Sequence, residues 1–155
     1  MKKSKQVKLY NVFFPIWMLI LMPVVWWAVI PVNFIIDSAV LIGGMYWLKI
    51  TEKKQFYKKN ILKVFGFGML ADIIGSLCLL GVLYLFAWLD AEIIGDEWFF
   101  TAPAVILSAV LIFVFNYFIT FRKEEKPFRK KLSLLIAIVT APYTFLIPIS
   151  WLYGF

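Results

Sequence analysis

The sequence predicts an all-α fold: a polytopic bundle of transmembrane helices with five spans, N-terminus in the cytoplasm, C-terminus outside. Three observations carry that expectation. The 155 residues are 63% hydrophobic and 16% charged, against about 45–50% apolar and about 25% charged in a soluble domain. Mean hydropathy is +0.88, with the apolar residues gathered into runs near the roughly 20 residues a helix needs to cross a bilayer core. The 16 basic residues fall into three short clusters between those runs.

From the N-terminus, MKKSKQVK is polar and basic, and the first apolar run covers about residues 10–30, ending at Pro31. Its apolar part exceeds the 7–15 residues or so of a signal peptide, and no small-residue cleavage site follows, so it is read as a retained helix. A second run covers 34–48. One helix over 10–48 would be about 58 Å long, too much for a single crossing. Pro23, Pro31 and Asn33 also interrupt it, so two antiparallel spans joined by a tight turn at 31–33 are expected. The basic segment KITEKKQFYKKNILK precedes a third run at 64–89, which the acidic DAEIIGDE separates from a fourth at 99–121. After RKEEKPFRKK, a fifth run covers 132–153, with Pro142 and Pro148 as expected kinks. The chain is thus one integral membrane domain over residues 1–155, with no extramembrane segment long enough to fold alone.

Charge gives the orientation. With the N-terminus inside, every lysine and arginine lies in a cytoplasmic segment: Lys2 to Lys8, Lys49 to Lys63 and Arg122 to Lys131. Asp90, Glu92, Asp96 and Glu97 lie outside. Cytoplasmic loops carry the excess of Lys and Arg, so a multi-pass protein of the cell membrane is expected. Trp26, Trp27, Trp88, Trp98 and Trp151 fall near the outer ends, as in an interfacial aromatic belt. The basic loops suit anionic lipid headgroups, and a formal charge of +7 distributed this way argues for the bilayer and against nucleic acid as partner.

Several chemistries are excluded. With no histidine, there are no His-based triads, His metal ligands or His pH switches. The single Cys78 excludes an intrachain disulfide and a multi-cysteine metal site. Gly66 and Gly68, like Gly43 and Gly44, lack the lysine and soluble helix of a nucleotide cradle. No catalytic residue, metal site or cofactor is expected, and two acids alone do not supply the six or so oxygens of a divalent ion. The chain is not expected to be an enzyme.

The candidate site is polar and inside the spans. Asp72 stands nine residues past Lys63 and Asp37 twelve before Lys49, roughly 13 and 18 Å from the inner face. Two antiparallel helices would then hold both acids near mid-membrane. Gly68, Gly75 and Ser76 share a helical face with Asp72; Asn33 and Gly44 share one with Asp37. Small residues let helices approach closely, so these faces are expected to look into the protein. Ser108, Asn116 and Thr120 form a further polar stripe. Asp37, Asp72, Asn33, Ser76 and Asn116 are therefore the candidate ion- or proton-binding residues.

No lysine or arginine shares the depth of the acids. Each acid then binds an ion or proton, is hydrated, meets another chain, or holds the bundle together through hydrogen bonds. The functional expectation is a small transporter or channel component handling a cation or proton, assembled as a homo-oligomer. The alternative is a non-catalytic accessory or assembly subunit bound to a larger membrane protein.

Overall fold

The computed structural model describes residues 23–88 and 97–146. Every regular element among them is helical. Helix α1 spans Pro23–Trp47, α2 Lys53–Trp88 and α3 Glu97–Phe115. A π-helical turn, Asn116–Thr120, extends α3; α4 spans Lys126–Thr140, and a 3₁₀ turn follows at Tyr143–Leu146. Among the described residues three stretches are long and apolar enough to cross a membrane: Trp26–Trp47, Lys53–Val82 and Thr101–Thr120.

The break expected at 31–33 is absent. α1 runs through it with Pro31 inside the helix, so 34–48 is the second half of a helix that starts before residue 30. Among apolar surroundings a proline is tolerated, because neighbouring groups and local adjustments re-satisfy the freed backbone. Asn33 does not mark a surface turn either: its side-chain amide donates to the Met69 thioether of α2 at 3.4 Å. Twenty-five residues of helix span about 37 Å, enough for one crossing. The remainder of the expected first span, residues 10–22, lies outside the described residues, as do the N-terminal lysines, most of the DAEIIGDE segment, Trp151 and the C-terminus.

α1 ends in a Schellman cap. Lys49 takes the left-handed conformation (φ 54°), its N–H donates to Tyr46 O, and the Ile50 N–H donates to Met45 O. These bonds satisfy two of the carbonyls a helix C-terminus leaves open.

α2 starts about three turns earlier than its apolar run. The lysine-rich segment taken for a loop is helical because its pattern is amphipathic. Lys54, Lys58, Lys59 and Lys63 are exposed, whereas Asn60, Ile61 and Val64 are buried. Lysine is a good helix former, and its long stem carries the charge outward past the apolar wall.

The helix in the expected fifth run, 132–153, has other bounds among the described residues. α4 begins at Lys126 and stops at Thr140, before the expected end at residue 153. Pro142 terminates the helix rather than kinking it: the residue before a proline is driven out of the helical region, and Ala141 sits at ψ 146°. Pro148 lies outside the described residues. Leu132, Ser133, Ile136 and Ala137 form the buried face of α4.

The short links at 48–52 and 121–125 bring Lys49 to Lys63 and Arg122 to Lys131 to one end of the bundle. Phe56, Phe121 and Phe128 close that basic end. Phe56 stacks on Phe121 at 5.9 Å between centroids and meets Phe128 edge-on. Trp26, Trp27 and Trp88 lie exposed at the opposite end. The outward surface is apolar, with Ile35, Leu62, Ile106, Val110, Phe118 and Ile138 all exposed. The buried residues, by contrast, include Asp37, Asn60, Asp72, Ser108 and Asn116. Apolar outside and partly polar inside suits lipid as the surrounding solvent.

Candidate functional site

α2 carries a buried stripe at four-residue steps: Asn60, Val64, Gly68, Asp72 and Ser76. α3 carries another at Ala104, Ser108, Ile112, Asn116 and Thr120. Such steps drift around an α-helix of about 3.6 residues per turn. The wider π turn at 116–120, closed by the Phe121 N–H on Asn116 O at 2.9 Å, takes back part of that drift. Asn116 and Thr120 both remain inside.

Asp37 and Asp72 are 5% and 6% exposed and come from neighbouring helices to the same level. A Cβ placed on Gly68, one turn before Asp72, would lie 3.4 Å from Asp37 Oδ2. Asp37 thus rests against the open face that Gly68 leaves on α2. The two carboxylates lie within electrostatic reach of each other, and no lysine or arginine among the described residues acts on either. Asp72 Oδ1 is fully buried without a hydrogen-bond partner.

The other expected residues take different places. Asn33 lies one turn from Asp37 and is turned to Met69. Ser76 lies one turn beyond Asp72, and its hydroxyl donates to the Asp72 backbone carbonyl at 2.9 Å, not to the carboxylate. Asn116 does not join the pair. Ser108, whose Oγ donates to Ala71 O at 3.2 Å, marks the level of the acids on α3. Asn116 is eight residues further, about 12 Å toward the basic end, with its amide donating to Ile112 O.

Two polar groups, one beside Asp37 and one nearer the basic end, were not among the expected residues. The Tyr57 hydroxyl donates to Ser38 Oγ at 2.9 Å, tying α2 to α1 beside Asp37. Asn60 is 1% exposed, and its place on the Gly68–Asp72–Ser76 stripe was the available signal.

The arrangement offers two acidic groups in a water-poor interior, one with an unused acceptor. Carboxylates so placed are able to take up a proton or a small cation; no group of three or more metal-binding side chains occurs among the described residues. Comparison with protein-family models, curated proteins and solved structures gave no match.

Proposed function

We propose that the chain is a multi-pass protein of the cell membrane, its basic end cytoplasmic, in which Asp37 and Asp72 bind and release a proton or small cation during transport. The observation that supports this reading is Asp72 itself: a 6%-exposed carboxylate beside a second one, with Oδ1 unpartnered and no basic neighbour among the described residues. Intramembrane acids are costly and mark ion or proton pathways. An assembly contact would place them on the outer surface, whereas both are interior. A bundle this small argues for a homo-oligomeric transporter.

The test is flux. Proteoliposomes holding the chain should dissipate an imposed proton or monovalent-cation gradient, and Asp72→Asn should reduce the rate to that of empty liposomes while the protein stays monodisperse. Full flux in Asp72→Asn would remove Asp72 from the mechanism. Absence of flux in the unsubstituted chain, with a second membrane protein co-purifying in fixed ratio, would favour the accessory-subunit reading.

Orientation follows from the Lys and Arg bias of cytoplasmic segments. In a Cys78→Ser background, Glu124→Cys at the basic end is expected to react with a membrane-impermeant maleimide only after the inner face is exposed. Labelling of intact cells would reverse the orientation.

A further inference from the structure

A second polar layer lies between the acids and the basic end. Asn60 of α2, Asn116 and Thr120 of the π turn, and Ser133 of α4 are each at most 7% exposed. Phe56 meets both Phe121 and Phe128; Asn60, Asn116 and Ser133 each stand four or five residues from one of these rings, about one turn above the aromatic floor, and Thr120 adjoins Phe121 between them and the floor. The π turn packs against both α2 and α4. Asn116 Oδ1, Thr120 Oγ and Ser133 Oγ are all buried without a hydrogen-bond partner.

The layer is separate from the carboxylate pair. Leu41 lies one turn beyond Asp37, Val64 one turn before Gly68, and Ile112 one turn beyond Ser108. All three are at most 1% exposed and belong to one buried apolar cluster. They form a dry partition above the polar layer, and the phenylalanines close it below.

Orphaned buried oxygens are uncommon in folded proteins, and lipid offers them nothing. Here three come from two elements, beside a fourth polar side chain. Buried carbonyl and hydroxyl oxygens left without partners call for a small molecule that both donates and accepts, and that takes two to four polar partners. Water meets that description and is the usual occupant of such sites. A divalent metal ion does not, since none of the four side chains is a carboxylate. We propose that Asn60, Asn116, Thr120 and Ser133 form an internal water-binding layer, sealed from the acids by Leu41, Val64 and Ile112.

The proposal does not depend on transport, and it is tested without flux. In water-edited solid-state NMR of the full chain in lipid bilayers, the Asn116, Thr120 and Ser133 side-chain signals should receive water magnetisation several-fold faster than those of Leu41 and Ile112. Equally slow transfer at all five would overturn the proposal. Thr120→Val, which keeps the shape and removes the hydroxyl, gives a second reading. A bound water loses a partner, so the midpoint temperature falls; a rise, as expected from deleting an orphaned hydroxyl in a dry core, would also overturn it.

Discussion

Gly75→Leu is expected to be among the most destabilising single substitutions in the bundle, separating α2 from α3. A Cβ at residue 75 overlaps Ser108 Oγ and comes within 3.3 Å of the Ala104 carbonyl oxygen. Even alanine forces the Ser108 hydroxyl off Ala71 O. Overpacking of this kind costs about 1–3 kcal/mol, offset by the roughly 1 kcal/mol that alanine gains over glycine within a helix. Leucine has no such escape: its branches drive into the α3 backbone, which cannot rotate aside as a side chain can. Its cost should reach or exceed the upper end, about 3 kcal/mol, read as a fall in midpoint temperature in detergent. Ser108→Ala should partly rescue Gly75→Ala, because it removes the overlapping oxygen at the cost of one interhelical hydrogen bond, about 0.6 kcal/mol in a membrane bundle. Gly44 provides the contrast. A Cβ there meets only the flexible ends of Leu132 and Leu135, so Gly44→Ala should be far milder. Unchanged stability in Gly75→Leu would mean that the helices do not meet at Gly75 in solution.

Helix content and membrane character were legible because both follow from composition and run length. The break at 31–33 was misread because proline was weighed as in water. In an apolar setting the helix continues through Pro31, and the polar signal of Asn33 is absorbed by Met69. Lys53 to Lys63 were read as a loop by charge alone, although the alternation of lysines with Asn60, Ile61 and Val64 is itself a helical face. At the other end, Pro142 stops α4 because it drives Ala141 out of the helical region, and run length does not register that.

The site was legible in depth but not in rotation. Counting from Lys49 and Lys63 placed Asp37 and Asp72 at similar levels; within one helix, spacing says which residues share a face but not which helix that face meets. The approach of Asp37 to Gly68 settles the pairing. The same limit misplaced Asn116, whose face was read correctly but whose height on α3 depends on where that helix meets α2. The π turn that holds Asn116 and Thr120 inside has no local signature in NYFIT.

Asp72→Leu separates a working carboxylate from a structural one, because the two roles predict opposite signs of stability. A buried acceptor left without a partner costs about 1–3 kcal/mol, and Asp72 Oδ1 is such an acceptor. Leucine at this position removes the cost and fills the space with apolar volume. The fold should therefore hold or gain up to that amount, with a higher midpoint temperature, while flux is lost: the trade between stability and function expected at an active position. Asp37→Leu should likewise lose flux, since its 5%-exposed carboxylate shares the same interior. The two are in electrostatic reach, so their effects should not add: once either acid is gone, removing the second should change flux little further. A carboxylate that holds helices together predicts the reverse. Both leucine variants would then unfold at lower temperature, and Asp72→Asn, able to keep hydrogen bonds through its amide, would restore most of the loss. Lower stability in Asp72→Leu with recovery in Asp72→Asn would assign the pair to the architecture of the bundle, because a group that only binds an ion gains nothing from an amide in its place.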